Sequence, residues 1–103
     1  MAMGGFNMQQ LMQKAQKMQK EMQEKQEELE DTLVTGTVAG GMVEVSMYGD
    51  KTIDSIKIKP EAVDPNDIEM LEDLIISAFN DAINKVDELK EELFGGMPQG
   101  LGI

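Results

Sequence analysis

The chain has no cysteine, histidine, tryptophan or arginine, and its aromatic residues are three Phe and one Tyr. The first two absences remove disulfides, thiolate and imidazole chemistry and the usual zinc ligand sets together. A Ser-His or Cys-His nucleophile cannot be assembled, and a cysteine-free chain fits a reducing compartment. With so few aromatics, Leu, Ile, Val and ten Met must carry the packing. No stretch is apolar for long enough to span a bilayer. The opening "MAMGGFNMQQ" has neither a basic leader nor an apolar run of signal-peptide length. A soluble intracellular protein is expected, with no membrane partner. Its 103 residues leave room for a single small domain, 1–103.

Positive charge is scarce as well. Nine lysines face 20 Asp and Glu, for a net charge of −11. Taken alone, that balance opposes nucleic-acid binding, which rests on neutralising phosphate. The distribution is uneven, however. Residues 1–20 carry Lys14, Lys17 and Lys20 and no acid, whereas residues 61–92 carry eleven acids against two Lys. A basic tip on an acidic body is electrostatically unlike a uniformly acidic protein.

From Asn7 to about Thr32 the sequence reads as one long helix of Gln, Met, Glu and Lys. Met8, Leu11, Ala15, Met18, Met22 and Leu29 step by three and four, with Lys25 in the expected place between the last two, the seam spacing of a coiled coil. Such a helix is roughly 38 Å long, more than a domain of this size can cover with its own sheet. Part of the seam is therefore expected to pack on another chain or to project as an arm.

"VTGTVAGGMVEVSMYGDKTIDSIKIKP" then alternates apolar and polar residues between "AGG" and "YGDK". Gly40-Gly41 suits a tight hairpin, and Gly49-Asp50 is expected to supply a second. Val43, Val45 and Met47 share one face of the middle strand. In the last strand Ile56 and Ile58 oppose Lys57 and Lys59, and the wrong parity of Ile53 predicts a bulge near Asp54-Ser55. Asp64-Pro65 is expected to open a second helix, Asp64 capping and Pro65 in the first helical position. That helix carries a wide apolar stripe including Ile75, Phe79 and Ile83 and ends at Gly95-Gly96. The fold class is α+β: a two-layer α-β-β-β-α protomer with a three-stranded antiparallel sheet. The ordered core is expected over about 7–93, with flexible ends at 1–6 and 95–103.

Candidate sites are few. Asp73, Ser77, Asn80 and Asn84 form a narrow polar band opposite the apolar stripe. It reads either as a wet face or as a specific protein contact, because two Asn within a helix are poor helix formers. The many carboxylates of this segment, from Glu69 to Glu92, lie along a helix surface with no cleft implied, so no catalytic pair is expected. The "TGTVAGG" stretch lacks the lysine and the strand-to-helix setting of a phosphate cradle, and hairpin geometry is the expected reason for its glycines. Lys14, Lys17 and Lys20 on the first helix, and Lys57 and Lys59 on one strand face, read either as phosphate contacts or as solubilising charge. No enzyme, cofactor, metal site or small-molecule substrate is expected.

"QLMQKAQKMQKEMQEKQEELE", "VTGTVAGGMVEVSMYGDKTIDSIKIKPE" and "MLEDLIISAFNDAINKVDELKEE" together resemble the YbaB/EbfC family of bacterial nucleoid-associated proteins, in order over residues 8–92. The resemblance implies a tight homodimer of α-β-β-β-α protomers that binds double-stranded DNA in the bacterial cytoplasm and nucleoid. Its helices lie between two outer sheets, and its long helices reach out like tweezer arms. With DNA as the ligand, the local charge makes Lys14, Lys17, Lys20, Lys57 and Lys59 the DNA-contacting candidates. The helical seam and the apolar stripe with its polar band make Leu11, Met18, Met22, Ile75, Phe79, Asn80 and Ile83 the dimer-interface candidates. Lacking arginine, the chain has no bidentate guanidinium contact to guanine, so phosphate contacts and shape readout are expected to dominate. The alternative is a dimeric scaffold whose acidic surface and Gln/Met arms bind protein instead of DNA.

Overall fold

Asn7 opens the first helix, and the computed structural model, which describes residues 7–95, shows how. Its side chain accepts hydrogen bonds from the main-chain N–H groups of Gln9 (2.9 Å) and Gln10 (3.4 Å). Both donors would otherwise be left without a partner at a helix start. Helix α1 then runs over Met8–Asp31 without a Gly, Pro or β-branched residue to weaken it. Its last turns place Glu27, Glu28, Glu30 and Asp31 at the negative end of the helix dipole, which is unfavourable. Tertiary anchoring offsets this, since Leu29 is buried. At Thr32 the backbone becomes extended while its hydroxyl donates to the Glu28 carbonyl at 2.6 Å.

Three antiparallel strands follow in the order β1-β2-β3: β1 Leu33–Val38, β2 Val43–Tyr48 and β3 Ile53–Ile58. In the first hairpin Ala39, Gly40 and Gly41 all have positive φ, and Gly41 and Met42 donate to the Val38 carbonyl. The second hairpin departs from the expectation. Lys51, at φ 69°, takes the left-handed position there, and Gly49 does not. Gly49 is required for another reason: a Cβ on it would stand 1.9 Å from the carbonyl oxygen of Leu29. The end of α1 lies directly on this glycine.

The expected bulge is present. Ser46 pairs with Ser55 while Met47 pairs with Ile53, so Asp54 is the extra residue. Ile53 thereby regains the face of Ile56 and Ile58, which is also the face of Val43, Val45 and Met47.

The second helix starts later than the Asp64-Pro65 signal implied. A short 3-10 turn, Pro60–Ala62, comes first. Asp64 then caps a turn, accepting from Asn66 N at 2.9 Å, and Asp67 is the helix cap, accepting from Met70 N at 3.1 Å. Helix α2 spans Ile68–Phe94, with Gly95 as its C-cap. The expected flexible ends lie outside the described residues, apart from Gly95.

The core consists of Val43, Val45 and Met47 from β2 under Ala78, Ala82 and Val86 from α2. Small residues set the depth of this contact. A Cβ on Gly36 of β1 would stand 2.3 Å from both Ala78 O and Ala82 N, so helix backbone touches strand backbone. Hairpin geometry therefore explains Gly40 and Gly41 but not Gly36. Helix α2 packs on β1 and β2. Strand β3 is left uncovered: Ile53, Ile56 and Ile58 point to the helical side yet remain 37%, 44% and 39% exposed.

Candidate nucleic-acid interface

Every residue from Met8 to Glu21 is exposed. Contact with the body begins near Met22 and Lys25, which are half-buried, and is completed at Leu29. The base of the arm is a recess of about 250 Å³ lined by Gln26, Leu29, Gly49, Val86 and Lys90, among others. Beside it Lys51 meets Asp87 at 3.4 Å. Beyond this base α1 projects alone. The molecule measures 81 × 19 × 18 Å with a radius of gyration of 21.2 Å, against roughly 13 Å for a compact chain of this length.

Lys14, Lys17 and Lys20 all stand on this free arm. At 1.5 Å per residue they lie about 14–22 Å from the Leu29 anchor. The helix start adds partial positive charge at the same end, and no acid occupies the first turn. Lys57 and Lys59 are placed differently. Lys57 pairs across the sheet with Glu44 on the outer face, where the acid offsets its charge. Lys59 donates its main-chain N–H to Met42 at the Gly40-Gly41 end of the sheet, opposite the Gly49 end where α1 is anchored. The fold thus separates the two lysine sets.

Two other ionic groups, hidden in the sequence among many carboxylates, turn out to be structural. Asp81 accepts from Thr37 N at 2.9 Å, and Lys85 donates to Thr35 O at 2.7 Å. The two side chains also meet each other at 3.4 Å. Together they occupy outward-facing main-chain groups of β1, an edge strand whose free groups would invite pairing with another chain. The Thr37 N–H holds the Asp81 carboxyl below its ordinary range, against the opposing effect of desolvation; Lys85 adds to the lowering. Only the tertiary placement of α2 along β1 reveals this role.

The polar band stays on the surface. Asp73, Ser77, Asn80 and Asn84 are all exposed, and Asp73 and Ser77 help line a shallow concavity of about 320 Å³ with Asp67 and Glu69. Among the interface candidates, Ile75, Phe79 and Ile83 pack partly on the protomer's own core. Met22 is half-buried, while Leu11 and Met18 are 53% and 38% exposed. Among the described residues no helix is long and apolar enough to cross a membrane.

A profile of the YbaB/EbfC DNA-binding family matches residues 3–101. The chain belongs to this family. Nucleoid-associated proteins of Staphylococcus aureus strains Newman and N315 are each 58% identical to it over 100 residues, covering 97% of this chain and 95% of theirs. A crystal structure of an uncharacterized Helicobacter pylori protein superposes with a TM-score of 0.70 at 30% identity. That match covers 85% of this chain and 92% of the other. This member of the family has no arginine, and its exposed arm carries three of its nine lysines.

Proposed function

We propose that this chain is a homodimeric nucleoid-associated protein of the bacterial cytoplasm that holds duplex DNA mainly by phosphate contacts and shape, and so influences nucleoid organisation and gene expression. The arm carries this reading: every residue of Met8–Glu21 is exposed, with three lysines and no acid before Glu21. DNA meets Lys14, Lys17 and Lys20, and the acidic body points away from it. Lys57 and Lys59 contribute less, since Glu44 faces Lys57.

Dimerisation follows from the uncovered apolar surface. One helix covers β1 and β2, leaving three isoleucines of β3 open on the same face. A second protomer's α2, presenting Ile75, Phe79, Asn80 and Ile83, supplies the missing cover. Leu11, Met18 and Met22 give the arms an apolar side where they approach each other. Paired arms would present twice the three lysines, and each phosphate neutralised steepens the salt dependence by close to one unit.

The test is a mobility-shift titration at several salt concentrations, with and without Lys14→Gln, Lys17→Gln and Lys20→Gln together. Weak, salt-steep binding that the triple change reduces across all sequences supports the reading. Failure of the wild type to bind duplex DNA at any salt concentration favours the protein-scaffold alternative.

A further inference from the structure

The arm carries more than lysine. At 100° per residue, Gln9, Gln13, Gln16 and Lys20 step by four, three and four along one line of α1. Gln10, Lys14 and Lys17 form the adjacent line. The apolar seam of Leu11, Ala15, Met18 and Met22 lies on the other side of the helix. All seven of these polar residues are exposed. Gln26, further along α1, donates its amide to Glu30 at 2.9 Å, whereas no acid lies within reach on the helix face around Gln9 and Gln13. The result is an amide stripe flanked by a lysine stripe, on a bare helix.

Resting on the DNA-binding reading above, we propose that Gln9, Gln13 and Gln16 read adenine in the major groove and so bias this protein toward A·T-containing duplexes. A helix of about 10–12 Å diameter fits the major groove, which is about 12 Å wide, and does not fit a minor groove of about 6 Å. A glutamine amide matches adenine: its oxygen accepts from N6 and its nitrogen donates to N7. Gln9 to Gln16 spans about 10 Å along the helix, close to three base steps of about 3.4 Å. Lys14 and Lys17, one line over, reach the phosphates bordering the same groove and fix the register without reading sequence. Gln9, Gln13 and Gln16 serve guanine poorly, because guanine presents two acceptors, N7 and O6, and leaves the amide oxygen without a donor; no arginine is present to replace them.

The test measures competition between two duplexes of equal length at fixed salt. One has an A·T core and the other a G·C core, and a third replaces adenine by 7-deazaadenine, which deletes only the N7 acceptor. The wild type should prefer the A·T duplex about fivefold or more, the lower end for one good bidentate contact, and should lose most of that preference on the 7-deaza duplex. Gln9→Ala, Gln13→Ala and Gln16→Ala combined should bind both natural duplexes equally, with an unchanged salt slope. Alanine favours the helix, and circular dichroism confirms that α1 is intact. Three results overturn the inference: equal wild-type affinity for both duplexes, a preference that survives the triple change, or one indifferent to 7-deazaadenine, which would place the readout in minor-groove shape. If the wild type binds none of the duplexes, the DNA-binding reading itself fails, a result distinct from equal binding.

Discussion

The Asp81 carboxylate accepts a 2.9 Å hydrogen bond from the main-chain N–H of Thr37, 44 residues away in sequence. With Lys85 on Thr35 O, it closes one edge of the sheet from within the protomer. Among the described residues, α2 gives β3 no such cover.

Asp81→Asn should lower the thermal midpoint at neutral pH and make stability less dependent on acid. The Thr37 N–H holds the folded carboxyl below its ordinary value, so its contribution is complete above that ordinary value and is lost as pH falls through the lower, folded one. Urea unfolding of both proteins between pH 7 and pH 2 should show two curves converging in acid. Parallel curves would mean that the charge on Asp81 adds nothing to folding.

Gly36→Ala should cost about 2–4 kcal/mol, because the new methyl meets the backbone of Ala78 and Ala82 and α2 must lift from β1. Gly40→Ala enters open space and meets only the positive φ of 68°, a penalty of roughly 1–2 kcal/mol. Denaturant midpoints of the two variants should rank in that order. The reverse ranking would contradict the close helix-strand contact.

These two glycines show what could be read from the residues and what could not. Alternation at Val43, Val45 and Met47 and the parity break at Ile53 were enough to place the sheet and its bulge, because period-two patterning is a local signal. Gly40-Gly41 was legible as a turn. Gly36 and Gly49 were not, since each is required by a helix that approaches from distant sequence. The start of α2 is ambiguous in the sequence because Asp64 and Asp67 both offer capping carboxylates three residues apart, and Pro65 favours the earlier one, whereas the helix is capped by Asp67. The arm lysines stood out through local charge. Asp81 and Lys85 did not, because their role depends on which strand edge α2 follows.

Ile56→Lys should separate protomer folding from assembly. Ile56 is 44% exposed in the protomer, so a lysine there is tolerated by an isolated subunit. In a dimer covered on this face it buries a charge at a cost of several kcal/mol. Sedimentation equilibrium at low micromolar concentration should return twice the chain mass for the wild type, and a monomeric or unfolded species for the variant. A variant that stays folded and dimeric would move the interface elsewhere.

Asn80→Ala and Asn84→Ala distinguish a wet band from a contact. Both residues are exposed in the protomer, where alanine should change stability by no more than about 0.5 kcal/mol. Asn80 sits one residue from Phe79 on the proposed interface, so its replacement should weaken dimerisation while that of Asn84 does not. Equal tolerance of both, measured by dilution of the dimer, would confine the band to solvent.

The salt slope of DNA binding reports whether the arm grips phosphate. Log affinity should fall with log salt at up to about five units per decade for the wild type, if all the arm lysines of a dimer neutralise phosphate. The Lys14→Gln, Lys17→Gln, Lys20→Gln triple should bind far more weakly, with a much shallower slope, while remaining dimeric. Lys57→Gln with Lys59→Gln should change both only slightly. If the sheet pair abolishes binding and the arm triple leaves affinity and slope unchanged, the arm is not where this protein holds DNA.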